Sequence, residues 1–130
     1  MAETKEYTKV EESNSWEHAL ENESWIAPLV DIYETDNDYF LIANMPGVSR
    51  EDVKIKLEDG DLIIMGRKRS AEDENRRYLM KEIDSSNYYR KFKLSESVDD
   101  DKIDASMEKG RLKIHLPKVE RVKPKTIEIK

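Results

Sequence analysis

Short segments in which apolar and polar residues alternate recur between residues 29 and 117, and this pattern restricts the fold more than any other feature. The clearest examples place Val53, Ile55 and Leu57 on one side of Lys54 and Lys56. A period of two puts one face of a β-strand on a core and the other face in water. The predicted strands are residues 30–33, 39–43, 53–57, 62–65, 88–94, 103–107 and 112–116. Leu62 to Met65 is apolar throughout, which predicts a strand buried on both faces, and residues 30–33 and 39–43 are similar candidates.

Turn-forming residues separate these segments. Asp59-Gly60 and Lys109-Gly110 each join two apolar runs, which predicts tight hairpins. Many short strands with regular turns and almost no helix indicate an all-β protein, an antiparallel β-sandwich. The connection from Lys68 to Asn87 interrupts the rhythm, and a connection of this length inside a compact domain usually has a function.

Charge divides the chain into three parts. Residues 1–28 hold seven acids and two lysines, whereas residues 118–130 are basic. We therefore expect an N-terminal arm over residues 1–27, a domain over 28–118 and a C-terminal extension over 119–130. Trp16, Ala19 and Leu20 follow helical spacing, which predicts a short amphipathic helix near residues 15–22, so the arm is expected to be either helical or disordered. A helix this short is marginal alone, so its apolar side needs a partner surface.

Composition excludes several functions. The net charge of −6 argues against nucleic acid as a partner, and the absence of cysteine excludes disulfides and thiol catalysis. No apolar run is long enough to span a membrane, and Met1 to Val10 lacks the core of a signal peptide, so we expect a cytoplasmic protein. No motif indicates catalysis, a metal or a cofactor. His115 is expected to be solvent-exposed, and the acidic run Asp99 to Asp101 is expected to be a solvated turn.

Two features need a further explanation. Arg90 shares a strand face with the large apolar side chains of Tyr88, Phe92 and Leu94. It is either a snorkelling arginine at a strand end or one half of an ion pair at a subunit contact. Ile127 and Ile129 point to the same side of an extended basic tail. They either add a last strand to their own sandwich or dock into an apolar groove of a neighbouring subunit.

Taken together, these motifs resemble the small heat shock protein family, whose central unit is the α-crystallin domain. The stretches that carry the resemblance, in the order of that family, are Pro28 to Glu34, Met45-Pro46-Gly47-Val48, Tyr88 to Leu94, Ala105 to Leu112 and Ile127-Glu128-Ile129. The resemblance covers residues 28–130. It implies an immunoglobulin-like sandwich, a chaperone that binds partly unfolded client proteins without ATP, and dimers that assemble into larger homo-oligomers.

The resemblance also implies roles for individual residues. Ile127 and Ile129 would be the oligomer anchor, received by a groove lined by Val53, Ile55, Leu57, Ile103, Ala105 and Met107. The dimer would form by strand exchange through Tyr78, Leu79, Met80, Ile83, Val30, Ile32 and Arg90, as in bacterial, archaeal and plant-type members. Our hypothesis for client contact is the set Trp16, Leu20, Trp25 and Ile26, and the alternative is that these residues pack on their own sandwich.

Two rival functions are considered. A CS-domain co-chaperone shares the sandwich but is ordinarily monomeric and lacks the terminal anchor and the long loop. A small hydrolase or metal-dependent enzyme would need histidine and carboxylate spacings that the sequence does not contain.

Overall fold

The part of the chain that the structure describes contains eight strands, and seven of them coincide with the seven predicted segments. A computed structural model describes residues 15–68, 77, 79–80 and 86–130. The strands are β1 (Trp25–Ile26), β2 (Leu29–Glu34), β3 (Asp38–Asn44), β4 (Val53–Glu58), β5 (Asp61–Gly66), β6 (Asn87–Lys93), β7 (Asp104–Glu108) and β8 (Arg111–Pro117). A helix, α1, covers residues 15–22, as the apolar spacing predicts. Short 3₁₀ turns lie at Arg50–Asp52, Asp100–Lys102 and Glu120–Val122.

The strands form two four-stranded sheets. Sheet A has the order β1-β6-β5-β4, and sheet B has the order β2-β3-β8-β7. All neighbours are antiparallel except β1 and β6, which run parallel. The predicted β-sandwich is therefore confirmed, with one short parallel pair added at the edge of sheet A.

The two predicted hairpins have the backbone that their sequences favour. Asp59 and Gly60 have φ values of 51° and 81°, and Lys109 and Gly110 have φ values of 49° and 75°. Two consecutive residues with positive φ are typical of the type I′ turn, whose twist matches that of the flanking strands. These turns fix the register of β4 with β5 and of β7 with β8.

The inner faces of the two sheets enclose the core. Leu41, Leu62, Ile64, Leu112 and Ile114 are each no more than 2% exposed. They come from β3, β5 and β8, the central strands, whose inward positions alternate as the sequence predicts. The edge strands complete the core with partly buried side chains that include Val53, Ile55, Ile103 and Met107.

The degree of burial differs between the strands that are apolar throughout. In β5, Leu62 through Gly66 are all buried, so the prediction of burial on both faces is confirmed. For β2 the same expectation is wrong, because Leu29, Ile32 and Tyr33 are 78%, 54% and 44% exposed. The reason is position: β2 is the edge of sheet B, and β3 is its only strand partner among the described residues.

Candidate assembly and binding surfaces

The edge strands β4 and β7 lie on the same side of the sandwich. Arg90 in β6 donates to the carbonyl oxygen of Pro28, just before β2, so β6 and β2 face each other across the core. The order of the two sheets then leaves β4 and β7 at the opposite side. Their inward side chains, which include Val53, Ile55 and Met107, are partly buried against the core.

The predicted groove residues line this side to different depths. Val53 and Ile55 in β4, Met107 in β7 and Ile103 just before β7 are half-buried against the core. Leu57 is 44% exposed, and Ala105 is also exposed. This side of the sandwich therefore presents apolar side chains of which some are packed on the core and others are open to solvent.

The C-terminal tail separates from the sandwich after Val119. The last backbone contacts with the sandwich are from the amide of Lys118 to the carbonyl oxygen of Asn37, and from the amide of Val119 to the carbonyl oxygen of Ser97. Residues 123–130 form neither helix nor strand, and Ile127 and Ile129 are 86% and 95% exposed. The alternative in which these isoleucines add a strand to their own sandwich is therefore not what the fold contains.

The free side of β2 carries a second group of exposed apolar side chains. Val30 is half-buried, whereas Ile32 is 54% exposed. In the predicted exchanged segment, Leu79 and Met80 are 96% and 77% exposed. The other two residues of that prediction, Tyr78 and Ile83, lie outside the described residues.

Arg90 lies close to the start of β2. Its Nη1 donates to the Pro28 carbonyl oxygen at 3.1 Å, and its guanidinium lies 4.8 Å from the ring centroid of Phe92. Within the described part of the chain, no carboxylate forms an ion pair with it. The predicted strand face is correct, because Arg90 and Phe92 are opposite the buried residues Ile64 and Leu62.

The four residues predicted to contact clients lie on or beside α1. Trp16 and Trp25 are half-buried against sheet A, where Trp25 contacts the ring of Tyr89 edge-on with centroids 6.5 Å apart. Leu20 and Ile26 are 39% and 40% exposed. The two tryptophans thus pack on their own sandwich, while the two aliphatic side chains keep open surface.

His115 occupies a site that sequence reasoning missed. Its Nε2 lies 2.6 Å from Asp38 Oδ1, and its Nδ1 lies 3.2 Å from Asp104 Oδ2. The hydrogen bond to the Asp38 carboxylate has the larger effect and that to the Asp104 carboxylate the smaller, and both raise the pKa of His115 above its ordinary value. The ring also stacks on Phe40 at 5.0 Å. His115 is therefore half-buried rather than exposed, and it ties β3, β8 and the edge strand β7 together.

The signal for this arrangement is the register of sheet B. Residues Phe40 and His115 are directly opposite, as are His115 and Asp104. The sequence distance to Asp38 is too long for a local motif, so only the strand pairing identifies the partner.

The acidic run has a structural role in the turn before β7. One carboxylate oxygen from each of Asp99, Asp100 and Asp101 lies within 4.8 Å of the others, the spacing of a possible metal site. However, the Asp99 side chain accepts from the Asp101 amide and pairs with Lys102 at 3.8 Å. Asp99 therefore caps a 3₁₀ turn, which agrees with the solvated turn expected from the sequence.

None of the helices in the described ranges has the length and apolar character needed to cross a bilayer.

These features define the class of the protein: an immunoglobulin-like β-sandwich with exposed apolar side chains on the β2 edge and a C-terminal tail that carries two exposed isoleucines. Within that class, the model of the Hsp20/alpha crystallin family matches residues 31–130. This chain belongs to that family, the small heat shock proteins, whose members are generally chaperones.

Individual relatives agree with this membership. The chain is 34% identical to Small heat shock protein C2 of Rickettsia felis over 87% of its own length and 74% of that protein. It is 41% identical to the Probable 15 kDa heat shock protein of Leptospira interrogans, over 72% of its own length and 71% of that protein. Among solved structures, a small heat-shock protein from Xylella fastidiosa superposes with a TM-score of 0.66 and 32% identity. The superposition covers 81% of this chain and 97% of that one.

Proposed function

We propose that this chain is an ATP-independent holdase that binds partly unfolded client proteins and keeps them from aggregating under stress. It acts in the cytoplasm, without catalysis and without a cofactor. The observation that carries the proposal is the exposure of large apolar side chains at the β2 edge and on the tail of a chain of this family. Contiguous exposed apolar surface marks sites of contact with other proteins.

High surface charge makes such exposure compatible with solubility. Charged residues make up 40% of the chain. Mixed charges of this density keep a protein dispersed even when it carries apolar patches. The chain therefore keeps apolar contact sites available while remaining dispersed itself.

The first level of assembly in this proposal is a dimer formed by strand exchange. The segment from Tyr78 to Ile83 of one protomer adds to the free side of β2 in the other, beside Val30 and Ile32. The exposure of Ile32, Leu79 and Met80 supports this, since an unpaired edge strand is a ready template for a further strand. Arg90 of β6, which donates to the Pro28 carbonyl oxygen just before β2, is in this proposal at the edge of the contact.

The second level joins dimers through the tail. Ile127 and Ile129 of one protomer insert into the groove between β4 and β7 of another. Burying an isoleucine side chain contributes about 1.5–3 kcal/mol before entropic costs. One such contact is weak, but many acting together hold a closed assembly that can still open on heating.

The arrangement of the chain supports three functional parts. Among the described residues, strands β2 to β8 lie between Leu29 and Pro117, and the last backbone hydrogen bond to the sandwich is from Val119, which supports an arm over 1–27, a domain over 28–118 and an extension over 119–130. In this scheme clients contact Trp16, Leu20, Trp25 and Ile26. Leu20 and Ile26 already present open surface, and the tryptophans become available when the arm detaches.

The test is suppression of aggregation without ATP. A heat-labile enzyme is warmed with and without the chain, and light scattering follows its aggregation. We expect suppression near equal subunit ratios and a soluble complex on size-exclusion chromatography, with an unrelated acidic protein as the control. Unchanged scattering would refute the holdase. A monomer that suppresses aggregation only together with a partner ATPase would assign the chain to the CS-domain co-chaperones instead.

A further inference from the structure

The outer face of sheet A carries an apolar strip between basic flanks. Ile63 and Met65 alternate with the core residues of β5 and therefore point away from the core. Their cross-strand neighbours on β4 are Lys56 and Lys54, and those on β6 are Lys91 and Tyr89. An outward apolar pair between lysines would ordinarily face water, yet Ile63 is 5% exposed and Met65 is 1% exposed.

The segment over this strip is α1, and the chain then continues into β1 at the edge of sheet A. The Trp16 ring lies 6.0 Å from Lys54 Nζ on one flank of Met65, and Trp25 contacts Tyr89 on the other flank. Trp25 also donates from Nε1 to the carbonyl oxygen of Ala19 at 2.8 Å, which fixes β1 to the helix. Ala19 is completely buried. Lys54, Met65 and Tyr89 are cross-strand neighbours in one row. Because Trp16 contacts one end of this row and Trp25 the other, the face of α1 that carries Ala19 lies over Met65.

Charge is complementary across this contact. The segment is acidic, with Glu17, Glu21 and Glu23. Arg67, directly after β5, pairs with Glu23 at 2.9 Å and donates from Nη1 to Ser15 Oγ at 3.1 Å. An acidic amphipathic helix is therefore held on an apolar strip that basic side chains surround.

The contact is built to be reversible. The described helix has eight residues, which is too short for stability in isolation. The Arg67–Glu23 pair is about one third exposed at both side chains, where ion pairs are weak and salt-sensitive. Losing the helix leaves the sandwich intact, because the core between the sheets contains no residue of α1.

We propose that the outer face of sheet A, centred on Ile63 and Met65, is a binding surface for acidic amphipathic segments of unfolding clients. In the resting chain α1 occupies this surface as an internal competitor, and a client segment of the same chemistry displaces it. The proposal rests on the proposed chaperone function, because it names a class of client segment and the element that regulates access to it. The strip supplies apolar contact, and Lys54 and Arg67 supply the preference for acidic segments, whereas Lys56 and Lys91 are paired with Glu58 and Asp61 of the same sheet.

The test uses two full-length variants, each with a single substitution in α1. Ala19→Arg puts a large cation at a completely buried site and should lift the helix, whereas His18→Arg adds the same side chain at an exposed neighbour. The probe is a dye-labelled peptide with the sequence of residues 15–26, followed by fluorescence anisotropy. We expect the Ala19→Arg variant to bind the peptide at least tenfold more tightly than the wild type or His18→Arg. A peptide with lysine in place of its three glutamates should not bind.

Two further measurements keep the result interpretable. The chain has two tryptophans, both in this segment, so their emission should shift to the red in Ala19→Arg and not in His18→Arg. Glu23→Gln is a milder variant that removes only the ion pair and should give an intermediate affinity. Equal peptide affinity for all variants, or equal binding of the lysine peptide, would overturn the proposal. If the wild type still suppressed client aggregation in that case, the chaperone function would stand and only this surface would be rejected.

Discussion

Replacing Ile127 and Ile129 by alanine removes the side chains proposed to join dimers. Both are almost fully exposed in the single chain, at 86% and 95%, so docking would bury nearly their whole apolar surface. Each truncation removes about three buried carbon groups worth about 0.8 kcal/mol each, hence roughly 5 kcal/mol per tail as an upper bound. At about 1.4 kcal/mol per factor of ten, each contact should weaken by at most a few thousandfold.

Sedimentation velocity over a range of concentrations measures this effect. The double variant should sediment as dimers or small species where the wild type forms larger assemblies. Glu128→Ala is the matched control, because Glu128 lies in the same segment and points to the opposite side of the extended chain. An unchanged mass distribution in the double variant, or an equal loss in Glu128→Ala, would refute the anchor.

Three other changes have defined outcomes. Removing the His115 charge with His115→Gln should cost about 0.5–1 kcal/mol of unfolding free energy near pH 6, and much less near pH 9, in urea titrations. The raised pKa dictates this sign: the stabilisation is complete below the ordinary value of 6.5 and is lost as pH rises through the folded value. Arg90→Ala should lower stability by about 1–3 kcal/mol by thermal unfolding and weaken the dimer, since a charged hydrogen bond is lost. Replacing Trp16 and Trp25 together by alanine should reduce suppression of client aggregation in light-scattering assays.

Each of these has a distinguishing control. For His115, a pH-independent cost would show that stacking on Phe40, and not charge, accounts for the effect. For Arg90, the control is Arg90→Lys, which keeps the charge without the planar guanidinium. If Arg90→Ala had the stability and assembly of the wild type, the snorkelling interpretation would be favoured. For the tryptophans, full suppression by the double variant would remove them from the client-binding set and leave their role as packing on sheet A.

Local patterns predict the strands because each pattern depends on neighbours in sequence. The alternation in β4 and β8 follows from which side chains must avoid water, and the Asp59-Gly60 and Lys109-Gly110 turns follow from permitted φ values. β1 has two residues and no periodicity, so only its parallel pairing with Asn87 and Tyr88 defines it.

Contacts between distant residues are what the sequence leaves undetermined. Glu23 and Arg67 are 44 positions apart, and Asp38 and His115 are 77 positions apart. No local pattern selects one acid from the 29 in the chain as a partner for a given base. Equally, an apolar β2 reads as a buried strand, and its exposure is evident only once its place at the edge of sheet B is known.

Native mass spectrometry across a temperature ramp, with and without a heat-labile client, tests the central claim most directly. The account predicts assemblies with even numbers of subunits that shift to smaller species on warming and then appear with client bound. A single chain whose mass stays constant through the ramp, with the client lost to aggregation beside it, would contradict the account.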